Sequence, residues 1–428
     1  MRKVADLSAD CLVVGQGAAG LLCGMVLASK GRKVAVVGRG TPSTVLSTGC
    51  ITLRNRSWAV ADDGPTDLNA LLMETSTLRQ LIRDGDFELG AVMAELREFL
   101  VPRLSSQGLP MTGHFNSTQL MLSNNGTPYA CSVAQRYTSA GRLRGLRGMR
   151  VAVLGVLGLA GFDPDLLCAI ASSIDDDFNP RAYWMQLPGL RPGRDVAPSE
   201  IADLAGRTEV EAHIASAVGD LNEDAVGLPP LFGLEHYIEK MRFIEHETGK
   251  TIFEPATPLS LPGRRLQEAL EAAAVAEGCR LMKGLRMSEL HLSGGRATSG
   301  VARSRSREQC IEFSDIVLAT GDLVGGGLAV HGDTVRESTS TFLVSGAPDS
   351  RAGPPGGYPG GDRLREISRF GVKIGSGSRP YSEGGEIVSN ARAAGSVISG
   401  LSFSSGIGLG GVLLSAWLAA RAVLEGDA

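Results

Sequence analysis

One segment constrains the fold more than any other, the stretch from Cys11 to Val37. Leu12-Val13-Val14 is a short apolar run, of the kind required by a parallel strand buried on both faces. Gly15-Gln16-Gly17-Ala18-Ala19-Gly20 follows at once. Leu21 with Met25, and Leu22 with Val26, then repeat at a spacing of four, which predicts a helix running to Lys30 and ended by Gly31. Lys33 to Val37 reads as a second strand. In such a unit Gly15 permits the tight turn, Gly17 lets the backbone approach a phosphate, and Gly20 lets the helix pack close to the strand. The helix N-terminus adds N–H groups and a positive dipole end, which brings Ala18 and Ala19 into the same candidate cradle. A tight packing turn is the bland alternative. The correct element on each side favours a dinucleotide or flavin site.

The end of the second strand departs from the usual pattern. An Asp or Glu is expected there to hold the adenosine ribose. The position is Gly38, Arg39 follows, and no carboxylate occurs between Lys33 and Leu53. Either the cofactor lacks adenosine, as FMN does, with Arg39 near its phosphate, or FAD binds with its ribose held otherwise. Arg39 as a solvated surface residue is the third reading.

Three later features extend the frame. Pro262-Gly263-Arg264-Arg265-Leu266 opens a helical stretch through Ala276, Cys279 to Met282 reads as a strand, and His291 to Ala302 as a hairpin about Ser293-Gly294-Gly295. Ile316-Val317-Leu318-Ala319-Thr320-Gly321 reads as a buried strand, with Thr320 and Gly321 leaving room where its end meets a cofactor. Finally Ala393-Ala394-Gly395-Ser396, then Gly400, Gly406, Gly408, Gly410 and Gly411, lead into an apolar helix from Val412 to Leu424. A glycine-rich loop feeding a helix N-terminus stabilises an anion, including the charge on a reduced flavin. Simple packing of the loop beneath a core helix is the alternative.

Bulk properties narrow the class. A chain of 428 residues is long enough for two domains. The formal net charge of -4 argues against a nucleic-acid partner. None of the seven cysteines (11, 23, 50, 131, 168, 279 and 310) forms a C-x-x-C pair, so no metal or cluster site is expected, and a reducing cytoplasm suits them. Cys50 reads as packing, having no second cysteine near it in sequence. The apolar run at 151–162 is too short for a membrane span. Those near the N-terminus and at 401–420 are interrupted by acids or glycines. Any membrane contact is expected through a partner.

At this level of detail the chain resembles the B-subunit family of anaerobic glycerol-3-phosphate dehydrogenase, within the wider group of fumarate reductase and succinate dehydrogenase flavoproteins. The resemblance rests on G-Q-G-A-A-G-L-L-C-G at Gly15 to Gly24, V-V-G-R-G at Val36 to Gly40 and S-T-G-C-I at Ser47 to Ile51. S-N-N-G-T-P at Ser123 to Pro128, P-G-R-R-L at Pro262 to Leu266, A-T-G-D at Ala319 to Asp322, Arg379-Pro380 and the terminal glycine loop complete it. Little is recognisable from Arg181 to Glu245. The resemblance implies a flavin, with FMN favoured and FAD as the alternative. It also implies a loop at Ser47, Thr48 and Gly49 passing close to that flavin. The implied partners are a catalytic flavoprotein A subunit and a membrane-associated iron–sulfur C subunit. Glycerol 3-phosphate would be oxidised to dihydroxyacetone phosphate with electrons relayed toward quinone. The chain would then be cytoplasmic, or peripheral on the inner face of the cell membrane through a partner.

The expected fold class is α/β, a Rossmann-like FAD/NAD(P)-binding flavoprotein fold with an inserted cap domain. The flavin part is expected at 1–95, 255–330 and 370–428, the cap at 96–254, and a cap return with a Gly/Pro-rich loop at 331–369. Catalytic residues stay unassigned. His114, beside Asn116 and Ser117, and Arg379 are the candidates for contact with a small anionic substrate. His236 and His246 flank a charged stretch that reads as a solvated helix. The alternatives are a self-contained flavin-dependent reductase of a small anion, fumarate reductase-like, and a structural subunit that kept the fold without the flavin.

Overall fold

The computed structural model describes residues 6–53, 63–65, 76–190, 195–331, 334–345, 370–401 and 408–426. The Gly/Pro-rich stretch at 347–362 and Gly406 lie outside them. The chain opens with β1 (Leu7–Val14), α1 (Ala18–Ser29) and β2 (Val34–Gly38). β3 (Ser117–Leu122), β4 (Pro128–Cys131), β5 (Val151–Val156), α2 (Pro164–Ile174) and β6 (Arg181–Met185) follow. Next come β7 (Ala225–Gly227), α3 (Leu234–Thr248), β8 (Thr251–Phe253) and α4 (Leu261–Ala276). β9 (Arg280–Lys283), β10 (Arg286–Ser293), β11 (Arg296–Arg303), β12 (Glu308–Leu318), β13 (Ala391–Ala393) and α5 (Leu409–Glu425) close the chain.

Two compact units result. The first comprises Met1–Ser43, Asp67–Leu100 and Leu270–Ala428. Its sheet runs in the order β9-β2-β1-β12-β11-β10. β1, β2, β9 and β12 are parallel, β12 pairing with β1 from Ile311 to Leu318, and β13 is added in parallel beside Ile316 to Leu318. The hairpin β10–β11 returns antiparallel along the amino half of β12. Cys11 to Val14 are buried, as a strand covered on both faces must be. Helix α1 is buried from Ala18 to Leu27 and apolar all round, which marks a core helix rather than a surface one. A Cβ on Gly24 would meet Val36 and Cys279 at 3.2 Å, and the Cys23 thiol donates to the Ala416 carbonyl of α5 at 3.1 Å. Thus α1 is held between the sheet and α5.

The second unit comprises Thr44–Thr66 and Val101–Ala269. Its own parallel sheet runs β8-β7-β5-β6. The apolar run beginning at Val151 is therefore a core strand, buried throughout. α2 starts at Asp163, whose side chain accepts from the N–H groups of Asp165 and Leu166, both at 3.0 Å. The charged stretch between His236 and His246 is not wholly solvated. It forms α3, and Tyr237, Lys240, Met241 and Ile244 recur at helical spacing on a buried face. Lys240 is paired there with Glu211 at 2.5 Å.

A fully buried polar network completes this core. Arg265 and Glu254 are each 0% exposed and make two hydrogen bonds, at 2.6 and 2.7 Å. Arg265 also donates to the Phe232 carbonyl at 2.7 Å and to Gln135 Oε1 at 3.2 Å, and lies 3.8 Å over the Tyr237 ring. Gln135 in turn donates to the Pro262 carbonyl at 2.8 Å. No helix among the described residues is long and apolar enough to cross a membrane.

Candidate functional site

The backbone builds a cradle at the carboxyl end of β1. Gly15 turns the chain at φ +125°, and its N–H donates to the Val37 carbonyl at 2.8 Å. A Cβ on Gly15 would stand 2.0 Å from the carbonyl oxygen of Ala319, and one on Gly20 would stand 2.0 Å from the carbonyl oxygen of Gly15. Any side chain at either position would force strand, turn and helix apart. Gly17 is the extended N-cap of α1 and contributes no side-chain cap. Ala18 and Ala19 form the buried first turn. The positive end of the α1 dipole lies at this glycine turn and suits an anion.

β12 ends beside this cradle. Ala319 N donates to the Val14 carbonyl at 2.8 Å, and a Cβ on Gly15 would lie 3.0 Å from Thr320 N. Thr320 Oγ1 is buried and has no hydrogen-bond partner among the described residues. Burying a hydroxyl unpaired is costly, so an orphan at the end of a central parallel strand fits a polar group bound there. Gly321 follows at φ +86°, where the Asp322 carboxylate accepts from Val324 N at 2.9 Å and Gly325 N at 3.1 Å.

The C-terminal glycines are in the same unit. A Cβ on Gly395 would lie 2.7 Å from the Cβ of Ala19, and Gly395 N donates to Ser415 Oγ at 2.8 Å. Gly408 is the N-cap of α5, again without a side-chain cap, and Gly410 and Gly411 are buried in its first turn.

Gly38 has a physical explanation that residue types alone did not reveal. A Cβ there would stand 2.5 Å from Gln16 Cγ. Gln16 is 9% exposed, and its amide donates to the Val36 carbonyl at 3.2 Å. The variable residue of the G-x-G turn thus fills the space over the end of β2 where a ribose-binding carboxylate would begin. The signal was a long amide side chain at that position followed by a glycine ending the next strand. Arg39, just beyond, is exposed.

Ser47, Thr48 and Gly49 belong to the second unit, where local partners engage them. Ser47 Oγ donates to the Thr44 carbonyl at 2.7 Å, and the Thr48 and Tyr129 hydroxyls are 3.1 Å apart. Gly49 sits at φ +69°, and a Cβ on it would meet Gln135 Nε2 at 2.2 Å and the Pro262 carbonyl oxygen at 2.5 Å. Cys50, isolated in sequence, has Cys131 beside it in space. His114 is exposed, and Arg379 Nε donates to the Ser389 carbonyl at 3.3 Å. A polar cleft of about 440 Å³ in the second unit is lined by residues including Arg207, His236 and Arg264. Among the described residues, no group of three or more His, Cys, Asp or Glu is placed to hold a metal ion.

The cradle, the Thr320 hydroxyl and the two glycine-led helix N-termini fit the phosphate-bearing part of a flavin nucleotide. The end of β2 supplies no carboxylate for its ribose. A family model described as "FAD binding domain" matches residues 10–347. The chain belongs to this FAD-binding family. That membership supports a flavin, and FAD specifically; it gives the preference for FMN no support. The chain is similar along 97% of its length to the B subunit of anaerobic glycerol-3-phosphate dehydrogenase of Yersinia pestis bv. Antiqua (strain Antiqua), at 27% identity and 98% coverage of that protein. The protein of the same name from Actinobacillus pleuropneumoniae serotype 5b (strain L20) is 25% identical, with the same coverages. A crystal structure of 3-ketosteroid-delta4-(5alpha)-dehydrogenase from Rhodococcus jostii RHA1 superposes with a TM-score of 0.41 at 12% identity, covering 100% of this chain and 98% of that one.

Proposed function

We propose that the chain is the flavoprotein B subunit of a glycerol-3-phosphate dehydrogenase complex. In this reading it relays electrons from oxidation of glycerol 3-phosphate to dihydroxyacetone phosphate toward a quinone pool. A catalytic A-type subunit and an iron–sulfur C-type subunit are its partners, the latter bringing it to the inner face of the membrane. The observation that carries the reading is the near full-length likeness to B-subunit chains of that enzyme.

Gly15, Gly17, Ala18, Ala19 and Gly20 are assigned to the flavin phosphates, with the α1 dipole opposing their charge. Thr320 and Gly321 are assigned to the cofactor edge that meets β12. Gly395, Gly408, Gly410 and Gly411 bring a second helix N-terminus to the same cofactor. Arg39 completes the proposed set. When bound, a flavin supplies a reversible two-electron acceptor. The protein's part is to hold it and to tune its charge.

The test is reconstitution with A- and C-type subunits and assay of quinone-analogue reduction by glycerol 3-phosphate. Omitting this chain should abolish quinone reduction. Full-rate oxidation by this chain alone, with no partner retained on purification, refutes the relay role. It would favour a self-contained reductase of a small anion, for which the cleft beside Arg207 and His236 is the place to look. Flavin released by acid settles the cofactor. FAD agrees with the family, whereas FMN agrees with the missing carboxylate after β2.

A further inference from the structure

The cysteines divide into two kinds. Burial pushes the thiols of Cys11 and Cys23 far up and those of Cys168 and Cys279 up to about 12, as expected of inert packing residues. Cys50 and Cys131 differ because they meet. Ile51 N donates to the Val133 carbonyl at 2.7 Å, and the Ile51 carbonyl accepts from Ser132 N at 3.2 Å and Val133 N at 3.1 Å. This antiparallel bridge brings the Cys50 segment alongside the end of β4, whose last residue is Cys131, across a sequence separation no motif would suggest. Both side chains are 2% exposed and pack with Met121, Ala134 and Ala256, with Tyr129 laid against the cluster. The two side chains are thus neighbours in one packed cluster. The Thr48 hydroxyl, 3.1 Å from that of Tyr129, accepts from the Cys50 backbone N–H at 3.3 Å.

The consequence is an unequal pair. The hydrogen bond from Cys131 brings the Cys50 thiol below the ordinary cysteine range, burial opposes this, and Thr48 adds to the lowering. Giving up that hydrogen bond, together with burial, pushes Cys131 well up. Of the two sulfurs, Cys50 is the one whose thiolate form is favoured by its surroundings.

We propose that Cys50 and Cys131 are a dithiol redox site, which a small peroxide converts reversibly to an intramolecular disulfide. The Cys50 thiolate attacks one peroxide oxygen; the O–O bond breaks, the departing hydroxide takes up a proton, and Cys50 becomes a sulfenic acid. The Cys131 thiol then attacks that sulfur; the S–O bond breaks, the S–S bond forms and a second water leaves. Two thiols lose two electrons in all, and one peroxide becomes two waters. Peroxide is close to water in size and enters by local opening about the pair. Both side chains pack in the same small cluster, so the bond of about 2 Å forms between neighbours in the fold. The product ties the 47–53 segment covalently to β4.

The experiment is hydrogen peroxide titration of the full-length, flavin-loaded protein, read by intact mass and peptide mapping. The expected result is the loss of two hydrogens, a cross-linked peptide containing residues 50 and 131, and full reversal by dithiothreitol. In Cys131→Ser the Cys50 sulfenic acid should accumulate, with dimedone labelling about tenfold above that of the native protein. Cys310 is an internal control, because it is more exposed than either member of the pair. Oxidation of Cys310 ahead of Cys50, or passage of Cys50 to the sulfinic acid without a cross-link, overturns the proposal. The native protein alone gives that answer, whatever the fate of the serine variant.

Discussion

Replacing Arg265 by Met removes one half of an ion pair that has no contact with solvent. The substitution leaves the Glu254 carboxylate buried, with both of its guanidinium bonds gone. Breaking a buried pair in this way costs about 3–5 kcal/mol. The Phe232 carbonyl and Gln135 Oε1 lose a charged donor as well, and Tyr237 loses the cation over its ring. These losses overlap and do not add. An expected total of about 4 kcal/mol is a large share of an ordinary folding stability of roughly 5–15 kcal/mol. For a unit of this size it corresponds to a fall in thermal midpoint of roughly 8–16 °C. Scanning calorimetry reads the midpoint, and far-UV dichroism at low temperature verifies that the variant is folded. The companion variant Arg265→Met/Glu254→Leu exchanges the pair for apolar groups of similar volume. It should recover most of the loss, since such exchanges are often neutral. A single variant within about 1 kcal/mol of the native protein would falsify this account of the network.

Gly15→Ala places a methyl 2.0 Å from a carbonyl oxygen at a positive φ; strain and overpacking together should cost roughly 2–5 kcal/mol, and flavin absorbance per protein should fall sharply, whereas native absorbance with an unchanged melting point contradicts the cradle. Gly38→Asp should be poorly tolerated alone because Gln16 occupies the space, while Gln16→Gly/Gly38→Asp should bind FAD more tightly than the native chain in a titration followed by flavin fluorescence, and no gain would show that Gln16 is not what excludes the carboxylate. Asp163→Ala removes the cap of α2 and should lower the urea-derived stability by about 1 kcal/mol; no change means the helix start is held by other contacts. The hydrogen bond from Arg150 holds the Asp224 carboxyl below its ordinary value, at about 2. Its contribution is therefore present above the ordinary carboxylate range and lost as pH falls toward 2, and Arg150→Ala should return the Asp224 titration, followed by NMR, toward ordinary carboxylate behaviour.

Much of the first unit was legible because its signals are local. The run at Leu12 to Val14, the glycines behind it and the four-residue spacing of Leu21 with Met25 all act within one strand–helix–strand stretch. They correspond to β1, α1 and β2. The hairpin about Gly294 and Gly295 was equally readable, since turn chemistry is short-range. What escaped depends on contacts between distant residues. Gln16 excludes a side chain at Gly38 only once the turn has folded back over the end of β2. Cys50 looked isolated because its neighbour is brought by the Ile51–Val133 bridge. Charges made α3 look solvated, although a buried lysine there finds its carboxylate in another helix. The parallel sheet of the second unit was hidden for a related reason. Its strands are short, and two of them, β7 and β8, span three residues each.

The parallel pairing of β1 also has a consequence for how the protein is made. Leu7 is aligned with Ile311, and Val14 with Leu318. At a synthesis rate of about 5–20 residues per second, β1 waits roughly 15–60 s on the ribosome for the neighbour that covers one of its edges. The second unit ends at Ala269, so its last residue emerges before β12 begins at Glu308. The nascent chain can therefore complete its middle before its beginning. During that interval the apolar strand at Cys11 to Val14 has an open edge, which makes it the natural place for a chaperone to bind.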